Sequence, residues 1–314
     1  MNYTVVIRTL GTAGTYYQQT LDSIRRQTIQ PEAVLVYIAE GYPIPPETIG
    51  VEQYIYVKKG MVAQRALRYE EVKTEYMLFL DDDVYLPEDG VEKLYREMME
   101  HEGEVIAPCL FPNHEVSWRT KLRLSLLGRE VARWGDDRWG YRVLRTGGFS
   151  YQNKPVKGVY ESTTNAGPCF FCRKEAFLRS HYEEEMWLDE TPYAFPDDQV
   201  MFYKMHLSGA KILTSYDSGI VHLDASSAVT NSEEKTLKII YSEYRNKIIF
   251  WHKFIYSQEK STFARCWSRI CLGYALGLQW LNSGIKSLRG AKRQAEAFRQ
   301  GVRDGKRYIR EYQS

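Results

Sequence analysis

EYMLFLDDDVYLPEDG, residues Glu75 to Gly90, runs five apolar or aromatic residues straight into three aspartates, Asp81, Asp82 and Asp83. A short apolar run of this kind reads as a buried strand. Three adjacent carboxylates repel one another, and unpaired charges beside a buried strand are costly unless a cation or hydrogen bonds compensate. A divalent cation is the economical answer, and hard oxygen ligands suit Mg²⁺ or Mn²⁺. If the strand alternation continues through the acidic run, Asp81 and Asp83 face one side and Asp82 the other, which points a D-x-D pair into one cleft.

The surrounding sequence says where that cleft lies. TVVIRTL (4–10), AVLVYIA (33–39) and QYIYVKK (53–59) are β-rich runs. TYYQQTLDSIRRQ (15–27) has helical spacing behind a Thr15 N-cap, and MVAQRALRYEEVK (61–73) reads as a further helix before the strand at 76–80. Strands separated by helices imply right-handed crossovers, hence an α/β fold with a mainly parallel sheet flanked by helices. Ligands bind beyond the carboxyl ends of such strands, where the three aspartates emerge. Residues 115–160 break the pattern with a Trp- and Arg-rich segment, expected to be an insertion or acceptor lid. It contains Trp118, Trp134 and Trp139 among Arg119, Arg123, Arg129, Arg133, Arg138 and Arg142. No recognised nucleic-acid motif accompanies them, so nucleic acid is not an expected partner. Order returns with NAGPCFFCRKEAFL, WLDETPYAFPDDQVMFYKMHLSG, AKILTSY and GIVHL. After about residue 230 the composition becomes helical and basic, giving a catalytic domain over 1–230 and a basic, amphipathic helical region over 231–314.

The composition excludes several classes. With 44% hydrophobic and 14% aromatic residues in 314, the chain has ample material for a core. Five irregularly spaced cysteines fit reduced thiols better than a disulfide framework, and the Cys169-x-x-Cys172 pair, lacking a second pair or a nearby histidine, fits a buried strand better than zinc. No secretory signal is visible at the N-terminus, so a cytoplasmic location is expected. The net charge of +2 hides an asymmetry: from Trp251 to Ser314 thirteen Lys or Arg face four Asp or Glu, a local +9.

Several motifs in order resemble the family 2 glycosyltransferases of the GT-A fold, over residues 3 to about 225. TVVIRTL with LDSIRRQTIQPEAVLVYIAEG is similar to the family's opening segment, with Glu40 where Asp is usual. RALRYEEVKTEYMLFLDDD keeps the sixteen-residue step from Arg65 to Asp81, with Ala66 where Asn is common. WLDETPYAFPDDQVMFYKMHLSG places Asp197 and Asp198 at the family's Glu-Asp pair and Lys204 at an Arg position. The resemblance implies an inverting transferase that uses a nucleoside-diphosphate sugar donor. By position, Thr9 and Glu40 lie against the base, Arg65 pairs with the diphosphate, Asp81 contacts the ribose with Asp82 as helper, and Asp83 and His222 serve the metal, Mg²⁺ or Mn²⁺. Asp198 is the implied general base, with Asp197 expected to raise its pKa.

The tail adds an expectation of its own. Ile270 to Leu281 is too short to span a bilayer but suits an interfacial helix, with Trp251, Trp267 and Trp280 as anchors and the +9 excess drawn to anionic lipid. It also resembles the tails of bacterial relatives that build surface polysaccharide, which implies a glycan or lipid-linked acceptor and a peripheral place on the inner face of the cell membrane. Two alternatives stay open. A metal-dependent phosphohydrolase of the haloacid dehalogenase type would use Asp81 as nucleophile, although its motif asks for Thr or Val where Tyr85 stands; a non-catalytic nucleotide-sugar-binding relative is the other.

Overall fold

The structure is a computed structural model, and it describes residues 1–110, 117–126, 131–132, 139–151, 156–223 and 232–312. The chain opens with β1 (Tyr3–Thr9), α1 (Thr15–Arg25), β2 (Ala33–Ala39) and β3 (Glu52–Val57). It continues through β4 (Tyr76–Asp81), β5 (Val84–Tyr85), α2 (Gly90–Glu100) and β6 (Val105–Pro108). The Trp- and Arg-rich segment contributes α3 (Trp118–Leu126), β7 (Val131–Ala132), β8 (Tyr141–Val143) and β9 (Phe149–Tyr151), whose strands form a small sheet of their own. Trp134, Arg129, Arg133 and Arg138 of that segment lie outside the described residues, as does the side chain of Arg123. Then come β10 (Val159–Ser162), β11 (Cys169–Arg173), α4 (Lys174–Arg179), a 3₁₀ segment over Tyr182–Glu190, α5 (Asp197–Leu207), β12 (Ile212–Ser215) and β13 (Val221–His222). The chain closes with α6 (Glu233–Trp251), a π-helical turn, α7 (Thr262–Leu288) and α8 (Lys292–Glu311).

Eight strands form the central sheet in the order β10-β12-β6-β11-β4-β1-β2-β3. Strands β1 to β4 pair in parallel, as do β6 and β12, while β11 runs antiparallel between β4 and β6 and β10 edges the sheet antiparallel to β12. This is the mixed, mainly parallel sheet flanked by helices that the sequence predicts. β4 lies inside it, and its alternation divides the core: Met77 and Phe79 face the α5 and α6 side, Leu78 and Leu80 the α1 and α2 side. Cys169 and Cys172 fall in β11 on opposite faces, both buried, and burial pushes both thiols up, so the CxxC is a strand and not a ligand pair.

Two local expectations fail. Residues 61–73 form turns, not a helix. The amides of Val62 and Ala63 donate to the Asp189 carboxylate, and Tyr69 sits in the left-handed region at φ 49°, so tertiary partners override the helical pattern. The cap of α1 is Gly14, at φ 57° and without a side-chain hydrogen bond, so Thr15 is the first helical residue.

The C-terminal helices share the core of the sheet. Tyr244, Ile248, Ile249 and Phe250 of α6 belong to the same buried cluster as Phe170 and Phe202. Trp251, expected at a membrane surface, is 6% exposed and donates its indole N–H to the Arg145 carbonyl at 3.0 Å. Trp280 packs its ring on Phe298 of α8, 5.5 Å between centroids, with Arg299 over the indole. α8 lies against α6 through glycines: a Cβ on Gly301 would meet the Tyr241 carbonyl oxygen at 2.5 Å, and one on Gly305 the Arg245 carbonyl oxygen at 2.7 Å. Backbone cannot yield as a side-chain end can, so Gly305→Ala forces α8 off α6. It is expected to cost roughly 1–3 kcal/mol, read as a lowered midpoint in thermal unfolding, whereas Ala at the open Gly277 of α7 leaves the midpoint unchanged or raises it.

Candidate active site

The carboxyl ends of β1, β2 and β4 form one rim of the sheet, bringing Thr9, Glu40 and Asp81 to the same edge. The register pairs Arg8 with Asp81 across β1 and β4, and both side chains leave on the α5 side of the sheet. Arg8 forks onto Asp81, Nε to Oδ1 at 2.6 Å and Nη2 to Oδ2 at 3.0 Å, and its Nη1 donates to the Met61 carbonyl at 3.0 Å. Such bidentate pairs are the strong form of a guanidinium–carboxylate contact.

Arg65, whose side chain is 3% exposed, reaches the same carboxylate from the turn segment. Its Nη2 donates to Asp81 Oδ1 at 3.1 Å and to the Gly167 carbonyl at 2.9 Å, and its Nη1 donates to Asp198 Oδ1 at 2.6 Å. The other oxygen of Asp198 accepts the Gly167 N–H at 2.9 Å. Gly167 is tightly enclosed: a Cβ there would lie 2.0 Å from Asp198 Oδ1 and 2.5 Å from Arg65 Nη1. The turn carrying Arg65 is fixed from three sides. Asp189 caps it, Gln64 donates to the Thr9 carbonyl at 3.0 Å, and the Tyr69 hydroxyl donates to the Arg65 carbonyl at 2.7 Å.

Burial opposes the charge on Asp81, but Arg8 and Arg65 outweigh it and hold the carboxyl at about 2. Asp82 is different: burial, opposed by the Thr9 hydroxyl and reinforced by Asp81 and Asp83, pushes it up to about 6. The Thr9 hydroxyl donates to Asp82 Oδ2 and accepts the Gly11 N–H at 2.8 Å. At the start of α5, burial and the Asp198 charge push Asp197 up to about 7 against the pull of Arg8 and Arg65, and its Oδ2 is buried with no hydrogen-bonding partner among the described residues. Asp198 is the more accessible, its side chain 32% exposed.

The strand on which the D-x-D alternation was predicted ends within the acidic run. β4 ends at Asp81 and the chain turns at Asp82 and Asp83, and the three carboxylates have different partners: Asp81 the arginines, Asp82 Thr9, Asp83 His222. Asp83 Oδ1 stands 3.0 Å from His222 Nε2, where β5 and β13 pair antiparallel and bring position 222 opposite Val84. Among the described residues no group of three or more His, Cys, Asp or Glu is arranged to hold a metal ion. Asp83 and His222 offer one oxygen and one nitrogen donor at a partly exposed edge, which fits a Mg²⁺ or Mn²⁺ ion that takes its other ligands from phosphate and water. Glu40 is exposed at the end of β2, and its amide donates to the Val57 carbonyl at 2.8 Å. A phosphohydrolase would need Asp81 free as nucleophile, and both its oxygens are held by guanidinium groups.

Arg8, Gly167, Gln64 and Asp189 escape the sequence reading. Arg8 had a signal, a lone cation inside the apolar run TVVIRTL, whereas the contacts of Gly167 and Asp189 with the turn that carries Arg65 span more than a hundred residues and leave no local pattern.

Residues 54–179 match the model of the family described as glycosyl transferase family 2. Over that segment, less than half of the chain, the sequence is similar to family 2 glycosyltransferases. The matched span contains Arg65, Asp81, Asp82 and Asp83, while Thr9, Glu40, Asp198 and His222 lie outside it. Among solved structures, S. aureus TarS 1-349 superposes with a TM-score of 0.48 at 12% identity, covering 89% of this chain and 72% of that one. The same TarS fragment in complex with UDP gives 0.47 at 13% identity, covering 98% and 92%, and in complex with UDP-GlcNAc 0.44 at 11%, with the same coverage. No curated protein matches.

Asp197 carries a pH prediction. Its folded pKa is raised from 3.8 to about 7, so between those values the folded state binds more protons than the unfolded chain. Stability therefore falls as pH rises through that window. Asp197→Asn is expected to remove this contribution, so denaturant titrations should show the variant gaining on the wild type from pH 4 to pH 7.

Proposed function

We propose that this chain is a family 2 glycosyltransferase, a metal-dependent inverting enzyme that moves a sugar from a nucleoside-diphosphate sugar to a hydroxyl of a glycan or lipid-linked acceptor. The observation that carries the reading is the Arg65 guanidinium bridging Asp81 and Asp198 at the carboxyl ends of the strands. It sets a cation suited to a diphosphate beside a partly exposed carboxylate suited to an acceptor hydroxyl. In a single displacement, Asp198 removes the hydroxyl proton as that oxygen attacks the anomeric carbon. The bond from that carbon to the diphosphate breaks, and the electron pair leaves with the nucleoside diphosphate.

Thr9 and Glu40 at the ends of β1 and β2 flank the base in this reading, and Asp81 and Asp82 line the ribose side. Asp83 and His222 hold Mg²⁺ or Mn²⁺, which when bound neutralises charge on the diphosphate. The setting we propose is assembly of bacterial surface polysaccharide at the inner face of the cell membrane.

Asp198→Asn is expected to lower transfer by about 10²-fold or more while a nucleoside diphosphate still raises the thermal midpoint as it does for wild type. Turnover at the wild-type rate would remove Asp198 from the chemistry. For Asp83→Ala the expectation is different: the extra stabilisation that Mn²⁺ adds to a nucleoside diphosphate in thermal-shift titrations should disappear. If it persists in full, the ion is held elsewhere.

A further inference from the structure

Arg8 has no task in the reading above. It is the only charge in β1, and burial opposes that charge; the Asp81 carboxylate, aided by Asp197 and Asp198, outweighs burial and keeps the guanidinium protonated. Three of its five N–H groups are committed, all of them to the protein: Nε and Nη2 fork onto Asp81, and Nη1 donates to the Met61 carbonyl. The fork takes both oxygens of Asp81 and sets the plane of that carboxylate. The third bond ties Arg8 to the first residue of the turn segment from which Arg65 rises.

The constraint passes on through shared atoms. Asp81 Oδ1 takes Arg8 Nε at 2.6 Å and Arg65 Nη2 at 3.1 Å, so the fork decides where Arg65 finds its acceptor. A guanidinium is flat and rigid, and fixing Nη2 therefore fixes Nη1, which donates to Asp198 Oδ1 at 2.6 Å. Gly167 closes a ring around these two side chains: its carbonyl accepts from Arg65 Nη2, and its N–H donates to Asp198 Oδ2. The ring holds Arg65 and Asp198 to each other. Among the described residues its side-chain tie to the parallel strands is Asp81, and the group that orients Asp81 from the neighbouring strand is Arg8. Charge alternates along the whole path, from Arg8 to Asp81 to Arg65 to Asp198, and each step is a charge-assisted hydrogen bond. A direct contact of Arg8 with the donor's phosphates would have only the second hydrogens of Nη1 and Nη2 to use, on a side chain 19% exposed.

We infer that Arg8 is a positioning residue for Asp198, acting through Asp81 and Arg65, an inference that rests on the proposed role of Asp198 as the base. It gives Arg8 to the acceptor half of the reaction, although its neighbour Thr9 belongs to the donor half. The measurement is nucleoside diphosphate released by the full chain with Mn²⁺ from UDP-, GDP- and dTDP-hexoses, water serving as acceptor, with kcat and KM for the donor that turns over. Arg8→Gln should lower kcat about tenfold to a hundredfold while the donor KM stays within about twofold. In the Asp198→Asn background the same substitution should lower kcat no further, because a constraint that acts through Asp198 has nothing left to place. Arg8→Lys keeps the charge without the fork; it too should lose kcat, and it decides the matter should Arg8→Gln fail to fold. A raised KM at unchanged kcat overturns the inference and gives Arg8 to the diphosphate. Losses that simply add in the double variant overturn it as well, as does a kcat that Arg8→Lys retains in full. Loss of turnover in Asp198→Asn beside full turnover in Arg8→Gln sinks this inference alone. Wild-type turnover by Asp198→Asn, or no release by wild type from any donor, brings down the proposed function and this inference with it.

Discussion

Two guanidinium groups converge on one carboxylate where β4 leaves the sheet, and the site is organised around that convergence. Asp81 can stay ionised in a nearly closed place only because Arg8 and Arg65 both face it, and Arg65 can stay there only because Asp81 and Asp198 both face back. Removing any one partner would leave an uncompensated charge in low dielectric, the costly way to break a buried ion pair. The network balances: with Asp197 protonated, two cations meet the two carboxylates of Asp81 and Asp198. Below about pH 7 the third acid therefore adds no charge to the cluster.

Such a network needs its parts delivered within tenths of an ångström, and the fold does this by different means on each side. Arg8 and Asp81 come from the parallel register of β1 and β4, which sets them side by side at no further cost. Arg65 comes from a segment with no regular structure, so its position has to be specified bond by bond: Asp189 at the front of the turn, Gln64 on the β1 carbonyl, Tyr69 behind. Asp198 comes from the first turn of α5, where a carboxylate also sits well with the helix dipole. Gly167 is the point at which these elements touch, and the absence of a side chain lets the Arg65 and Asp198 heads meet over its backbone.

These differences explain how much was legible in the sequence. The strands were readable because a fully buried strand announces itself as an apolar run, and β2 is found over the residues its composition marks, Ala33 to Ala39. The acidic end of β4 was readable as a site because charge beside such a run must be compensated. What compensates it was not. Alternation predicted an Asp81–Asp83 pair on one side, but it showed neither that β4 stops at Asp81 nor that two arginines meet that carboxylate. The helix expected at 61–73 failed for the same kind of reason: its periodicity is real, yet its amides and its buried arginine are claimed by Asp189 and Asp81, partners that no local window contains.

The tail, readable as helical and basic, hid its packing. α6 is driven into the core by Tyr244, Ile248 and Phe250, and α8 clasps it through glycines, so the two together act as a rigid mount. That mount removes Trp251 from any surface role. α7 joins the mount through the seam from Ser268 to Ser283, with Trp280 beside it on Phe298, so the helix cannot roll to hide its opposite face without uncovering the first. The exposure of Phe263, Trp267, Ile270, Tyr274 and Leu281 is then a consequence of how α6 and α8 lock together: a helix that is apolar on two sides and held by one must present the other outward.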